Sequence, residues 1–209
     1  MARILITSGP TRQYLDPVRY LTNGSSGRMG RALAQAALEL GHEVLVVSGP
    51  VSVDYPAAAE VIPIISTEEL LEVCRGKFVR CDGLIGAAAP CDYRPVKVEQ
   101  QNNAKTGQPL ELHLIETPDV VATLGGEKRS DQWVVGFALE TDDARFRAIT
   151  KLERKSCDLI VLNGPSAMDS LENEVEVLDR AGSTAASLQG TKEAVAKGIL
   201  AVIQERLIR

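Results

Sequence analysis

With 209 residues, 44% of them hydrophobic and only 4% aromatic, the chain can bury a sizeable core, and its wealth of Ala, Val, Leu and Ile suits a parallel sheet covered by helices. A formal net charge of -5 argues against nucleic-acid binding, which needs a basic face, but leaves room for a small anionic ligand held by local groups. Cys74, Cys81, Cys91 and Cys157 form no C-x-x-C pair, His42 and His113 stand far apart, and no apolar run reaches membrane length. A structural zinc site, a redox pair and a membrane span are therefore not expected, and the chain reads as soluble and cytoplasmic, without a signal peptide.

Residues 3–7 (RILIT) predict a first strand, closed by the turn Ser8-Gly9-Pro10-Thr11. Loops at the carboxyl ends of strands build the ligand crevice in open α/β sheets, so Ser8 and Gly9 are candidate phosphate-lining groups; a bland turn is the competing reading. The connector 12–22 is long and irregular, and a connector of that length ahead of the first helix is more often functional than idle. It runs into 20–30, YLTNGSSGRMG, where Gly24, Gly27 and Gly30 enclose Ser25 and Ser26 and precede an Ala/Leu-rich helical pattern. Backbone N–H groups, two hydroxyls and the positive end of a helix dipole would meet there, which is a recipe for holding a phosphate. A plain serine/glycine cap without ligand is equally compatible with those residues alone.

The helix predicted over 29–40 stops at Gly41, and 43–47 (EVLVV) is a second strand ending in Ser48-Gly49. The glycine spacing resembles a dinucleotide fingerprint, yet that fingerprint needs its glycines directly after the first strand and an acid at the end of the second. Ser48 stands where the acid should be, so an NAD(P)-dependent reductase is the weaker alternative. Further strands are expected at 61–65 and 82–88, separated by a helix opening at Ser66 and running to about Cys74. Beyond 82–88 comes APCDYRP, whose Asp92 can accept from ribose hydroxyls or help place a metal. Residues 97–107 are polar and unpatterned, a lid or a solvated loop. A strand is expected at 110–115 and a short helix from Pro118 through PDVVATLG, whose N-terminus is a second potential anion site. A strand at 133–138 leads to a helix capped by Glu140-Thr141-Asp142-Asp143, with Lys151 and Lys155 on one face beside Arg154, by default a solvated cationic face. A strand at 158–162, an antiparallel hairpin of 174–178 with 184–188, and a final helix after Gly190 complete a single domain over 1–209.

Taken together, SGPT, DPVRYLTNGSSGRMG, AAAPCDYRP, ETPDVV, VGFALET and KLERKSCDLIVLN resemble phosphopantothenoylcysteine synthetase of the bacterial, CTP-using type. The resemblance runs from Met1 to the final helix, and its long glycine element and D-Y-R-P element are far more specific than a lone glycine motif. It implies an α/β, Rossmann-like three-layer fold with a mostly parallel central sheet and a small antiparallel edge hairpin, and, since the chain opens at the first strand, a stand-alone synthetase. It further implies that 4′-phosphopantothenate attacks CTP through its carboxylate to give an acyl-cytidylate and pyrophosphate, after which the amine of L-cysteine displaces CMP. Mg2+ and cationic side chains would neutralise charge and position the two anions.

The resemblance assigns Asn23 to the acyl-cytidylate and Ser25, Ser26, Gly27 and Met29 to phosphopantothenate, with Arg94 also on the substrate side. Ser8, Gly9, Gly86, Ala87 and Ala88 would line the CTP side and Asp92 would meet the ribose. Pro118, Asp119, Val120 and Val121 would face the triphosphate, Phe137 the cytosine, and Lys151 and Lys155 the nucleotide. A homodimer is implied, the D-Y-R-P region reaching toward the neighbour. One departure stands out. The family's lysine-rich K-x-K-K cluster falls on Asn102, Asn103, Ala104 and Lys105, so the lysine aimed at the pentacovalent phosphorus would be Asn102 and only Lys105 is kept. Loss of such a cation typically costs about 10²–10³ in rate. Either Lys105 or Lys97 substitutes for it, or the protein is a slow synthetase or an impaired CTP- and phosphopantothenate-binding homologue. Gly24, where the family is bulkier or basic, is a milder oddity.

Overall fold

The computed structural model describes residues 1–102, 107, 109–139, 143–163 and 172–208. In chain order the strands and helices are β1 Arg3–Ser8, β2 Arg12–Tyr14, β3 Tyr20–Thr22, α1 Arg28–Glu39, β4 Glu43–Ser48, β5 Glu60–Pro63, α2 Thr67–Phe78 and β6 Gly83–Gly86. They continue as β7 Tyr93–Pro95, β8 Leu114–Glu116, α3 Val120–Glu127, β9 Trp133–Leu139, α4 Ala144–Arg154, β10 Leu159–Asn163, β11 Glu172–Asp179, β12 Thr184–Thr191 and α5 Lys192–Arg206. Among the described residues the main sheet has eight strands in the order β12-β11-β10-β9-β6-β1-β4-β5. It is parallel from β5 to β10, and the β11–β12 hairpin is added antiparallel at one edge.

Alternation along the strands divides the core in two. Ile4 and Ile6 of β1, Val44 and Val46 of β4, Val135 of β9 and Val161 of β10 face α1 and α5. Their neighbours Leu5, Leu45, Val47, Val134, Ile160 and Leu162 face α2, α3 and α4. Because successive side chains of a strand point to opposite faces, unbroken apolar runs such as ILI and VLVV are what a sheet covered on both sides requires. Gly83 belongs to this packing: a Cβ there would lie 2.0 Å from the Trp133 ring, so the indole lies directly against bare backbone. No helix of the described residues is long and apolar enough to cross a membrane.

The three-layer α/β expectation holds, with local differences. Inside the connector 12–22, β2 and β3 form a small antiparallel hairpin. Its turn is fixed by Asp16, fully buried, whose carboxylate accepts from the backbone N–H groups of Val18 and Arg19 and from the Arg19 guanidinium at 2.7 Å. The Arg12 guanidinium sits 4.4 Å from the Tyr20 ring centroid. Such a hairpin, held by polar and cation–π contacts, leaves no apolar alternation to read. The strand expected at 110–115 shrinks to β8, which pairs with β7 outside the main sheet. The strand expected to reach Ala88 stops at Gly86, where the Ala87 N–H turns back to the Ile85 carbonyl. Helix α2 runs on to Phe78 behind a complete Ser66/Glu69 capping box, and the edge hairpin is longer than the sequence indicated. Glu140, Thr141 and Asp142 lie outside the described residues; Asp143 is the N-cap of α4 but makes no side-chain capping bond.

Candidate functional site

Strands β1, β6, β9 and β10 end side by side, at Ser8, Gly86, Leu139 and Asn163, and two adjoining cavities open along that carboxyl edge. The first, about 240 Å³, lies toward α1 and α5 and is lined by residues 24–30, Ala87 to Ala89, Phe137, Leu139, Asn163, Asn173 and Lys192. The second, about 480 Å³, lies toward α2, α3 and α4 and takes in Gly86, Ala88, Asp92, Glu116, residues 117–121, Phe137, Arg154 and Lys155. Ala88 and Phe137 belong to both, so the cavities share a seam.

The glycine loop is built for close approach. Gly27 takes the left-handed conformation, φ 75°, at the N-cap of α1, and no side chain caps this helix and no acid stands in its first turn. The leading N–H groups of α1 therefore lack the side-chain acceptor that Ser66 gives α2, Asp119 gives α3 and Thr191 gives α5. A second glycine fixes the distance to β1. A Cβ on Gly30 would lie 2.0 Å from Ser8 Oγ, so only glycine lets the helix start press against the strand end. Ser8 Oγ, buried, accepts from the Tyr55 hydroxyl at 2.8 Å and donates to the Gly27 carbonyl at 3.3 Å. Asn23 Nδ2 donates to the Pro90 carbonyl at 2.8 Å and ties the mouth of the loop to the segment after β6.

In the second cavity Asp119 caps α3 by accepting from the Ala122 N–H at 3.1 Å, and the same carboxylate pairs with Lys155 Nζ at 3.1 Å and Arg154 Nη2 at 3.4 Å. Gly125 makes room for the end of α4, since a Cβ there would lie 2.0 Å from the Lys155 carbonyl. Cys91 also lines this cavity; burial pushes its thiol up from the ordinary range, so it is a neutral group at physiological pH and no nucleophile.

The sequence-derived residues divide accordingly. Ser25, Ser26, Gly27 and Met29 meet at the first cavity, and Asp92, Pro118, Asp119, Val120, Val121 and Lys155 at the second. Gly86 lines the second, Ala87 the first, and Ala88 and Phe137 both. Ser8 and Gly9 line neither: Ser8 is consumed behind the glycine loop, and Gly9, φ 74°, faces Val51. They support the site rather than border it. Arg94, on β7, is turned to Glu68 at 2.9 Å. Lys151, one turn before Lys155, and exposed Asn102 are outside both linings. Lys105 lies outside the described residues. The sequence reading missed Asn163, Asn173, Lys192 and Tyr55. A signal for the two amides was present: the stripes Leu159-Val161-Asn163 and Val177-Val175-Asn173 are apolar until they reach the carboxyl edge and then turn to amides.

Among the described residues no group of three or more His, Cys, Asp or Glu could cage a metal ion. The carboxylates of Asp92 and Glu116 suit Mg2+ arriving on phosphates, an ion that commonly takes one or two carboxylates and keeps its remaining ligands from substrate and water.

The family profile described as the C-terminal domain of DNA/pantothenate metabolism flavoprotein matches residues 1–207. The coenzyme A biosynthesis bifunctional protein CoaBC of Vibrio vulnificus is 39% identical over 207 residues, covering 96% of this chain and 51% of that protein. Its counterpart in Bacillus subtilis is 43% identical over 165 residues, 78% of this chain and 40% of the relative. The chain thus spans about half the length, or less, of the curated relatives it matches. A crystal structure of the C-terminal domain of CoaBC superposes with a TM-score of 0.84 at 36% identity, covering 98% of this chain and 95% of the other. The chain therefore belongs to the family of DNA/pantothenate metabolism flavoprotein C-terminal domains.

Proposed function

We propose that this domain joins 4′-phosphopantothenate to L-cysteine at the expense of CTP, a ligase step of coenzyme A biosynthesis. The observation that carries the reading is the pair of cavities meeting at Ala88 and Phe137, one offering uncapped helix amides and cations, the other a mixed-charge pocket that includes the carboxylate of Asp92. Relatives named for coenzyme A biosynthesis support it. The reductase alternative is weakened further, because Ser48 ends β4 where a ribose-binding acid would be needed, and its hydroxyl is engaged with Tyr55 and the Gly49 carbonyl.

In this reading the nucleoside occupies the second cavity, with Phe137 against the cytosine, Asp92 at the ribose and Lys155 and the start of α3 near the phosphates. The acid occupies the first, its carboxylate pointing to the seam. A carboxylate oxygen attacks the α-phosphorus, the bond to the β-phosphate breaks and pyrophosphate leaves. The amine of cysteine then attacks the acyl carbon, loses a proton and expels CMP. Asn23, which lines neither cavity but is tied to Pro90 of the second and adjoins Gly24 of the first, would hold the activated acyl group with a neutral amide, which adds no negative charge beside the phosphorus. Magnesium, when bound, supplies charge neutralisation on the phosphates. Asn102 leaves the loop without the family's usual cation at that position, so Lys105 or Lys97 would take over or turnover is slow; a gain on N102K would favour the second outcome. A homodimer fits the apolar exposure around β7 and β8, where Tyr93, Val96, Val98, Leu112, Leu114 and Ile115 are all uncovered.

The deciding experiment follows pyrophosphate and CMP with each of the four nucleoside triphosphates, with and without Mg2+. Expected is release that requires CTP, phosphopantothenate and, for CMP, cysteine. Turnover with ATP and none with CTP would overturn the nucleotide assignment.

A further inference from the structure

The segment joining β6 to β7 is pinned by three threonines from distant parts of the chain: Thr11, directly before β2, Thr67, the first residue of α2, and Thr117, directly before Pro118. Cys91 donates its backbone N–H to Thr11 Oγ1 at 2.8 Å, and Thr11 Oγ1 lies 2.8 Å from Thr67 Oγ1. The Thr67 hydroxyl donates to the Cys91 carbonyl at 3.2 Å. Thr67 has one hydroxyl proton to give, so with that proton on the carbonyl, Thr11 is the donor between the two threonines. The three bonds close a ring that runs one way, from Cys91 N–H through Thr11 and Thr67 back to Cys91 C=O. Both threonines are buried, Thr67 completely, so a bond broken in the ring finds no bulk water to replace it. Thr117 adds to the hold: its hydroxyl donates to the Cys91 carbonyl at 2.6 Å and its N–H to the Asp92 carbonyl at 2.9 Å. Helix α2 already has a complete Ser66/Glu69 capping box, so its start does not need the Thr67 hydroxyl.

Thr11 and Thr67 line neither cavity, but Cys91 and Asp92, the residues whose backbone they fix, border the second. The exposed Asp92 carboxylate accepts no hydrogen bond and joins no ion pair among the described residues, so its place is set through its backbone. On a loose loop it would lose backbone freedom whenever a ligand bound; on a fixed backbone only the side chain has to be ordered. We propose that the Thr11–Thr67 pair is a positioning device for the nucleotide: through Cys91 it holds Asp92 where the carboxylate meets the ribose hydroxyls. It thereby governs how strongly the site prefers a ribonucleotide to one lacking those hydroxyls. The inference rests on the ligase reading for placing the nucleoside in the second cavity, and adds to it two residues that touch no substrate.

The test is calorimetric titration with CTP and with 2′,3′-dideoxy-CTP, which offers Asp92 no ribose hydroxyl, on wild type, T67V, T11V, T67S and D92A. Wild type should bind CTP about tenfold more tightly or better, the scale of a hydrogen bond to a charged group. T67V and T11V keep the side-chain shape and open the ring at different bonds. In either, the preference should fall to about twofold or less with dideoxy-CTP affinity nearly kept, and T67S, which retains the hydroxyl, should hold the wild-type ratio. D92A should lose the preference with its melting temperature unchanged. A merely structural role would lower the melting temperature and weaken both nucleotides alike, leaving their ratio at the wild-type value. That result overturns the proposal, as does a preference that survives D92A, a wild type that binds both nucleotides equally, or loss of folding in both valine variants, which would make the ring a folding element. A wild type that prefers CTP but releases no pyrophosphate with phosphopantothenate ends the ligase reading and leaves the positioning role to be decided by the ratios alone. A wild type that binds neither nucleotide overturns both.

Discussion

The two cavities share Ala88 and Phe137 and differ in almost everything else. Toward α1 and α5 the charged lining, among the described residues, is Arg28 and Lys192, beside a helix start whose amides no side chain caps. Toward α2, α3 and α4, Asp92, Glu116 and Asp119 stand among Arg154 and Lys155, and α3 is already capped by Asp119. The first arrangement, with helix amides and two cations, attracts an anion. The second tempers its cations with carboxylates, which suits a ligand carrying phosphates, hydroxyls and a metal together. One sheet edge can thus keep two anionic substrates apart by face and bring them together only at the seam.

The sharpest way to break this picture is at the tie between the glycine loop and the segment after β6. Asn23→Asp removes the donor to the Pro90 carbonyl and puts a negative charge where the activated acyl group would lie. Amide formation is expected to fall by about 10²–10³, the usual effect of losing a preorganised stabilising group, with pyrophosphate release less affected than CMP release. Following the two products separately checks it; unchanged CMP release would mean that Asn23 only ties two loops together.

The next largest effect should fall on one cavity alone. Gly30→Ala forces a methyl to within 2.0 Å of Ser8 Oγ, a buried atom already bonded on both sides. Overpacking of this kind costs about 1–3 kcal/mol. Relief would come by moving the start of α1, so affinity for phosphopantothenate should drop with the melting temperature while CTP affinity is kept. Calorimetric titration with each ligand decides it, and equal losses for both would mean the cavities are not independent.

This contrast was only half legible in the sequence. The parallel sheet could be read because ILI, VLVV and WVV are unbroken apolar runs, and the glycine loop because its spacing has a mechanical purpose. Ser8 reads from the sequence as the end of a strand, but a hydroxyl there looks the same whether it faces a ligand or braces a loop; the contacts to Tyr55 and Gly27 add the bracing. Lys192 was invisible because it lies 162 residues beyond Gly30 in the chain, and antiparallel return of β11 and β12 is what brings it back. Asn173, second residue of β11, reads without the sheet as an ordinary polar strand start.

A smaller effect is expected in the second cavity. Lys155→Met removes one of two cations facing Asp119, and partly exposed pairs of this kind contribute about 0–1 kcal/mol. The KM for CTP should rise by about fivefold or less, Arg154 retaining the carboxylate, with the phosphopantothenate KM unmoved. A rise for both substrates would contradict the division by face.

The smallest effect at neutral pH, and one that separates the two faces without any ligand, comes from the cysteines. Cys74, Cys81 and Cys157 are all packed on the side of α2, α3 and α4, and the core beneath α1 and α5 has none. Burial pushes Cys74 up to about 12 and Cys157 up to about 11, whereas an unfolded thiol titrates near 8.5. The folded chain therefore holds protons on these thiols that the unfolded chain has lost, so their contribution is fully present below about pH 8.5 and declines as pH rises toward the folded values. Each thiol should cost about 1.4 kcal/mol per pH unit within that window. Amide exchange at pH 10 should accordingly show α4, around Leu152, opening before α5, around Leu200, and C74A/C157A should flatten the difference. Uniform opening of both faces would mean that the sheet transmits the strain and that the two cores, though built separately by strand alternation, unfold as one.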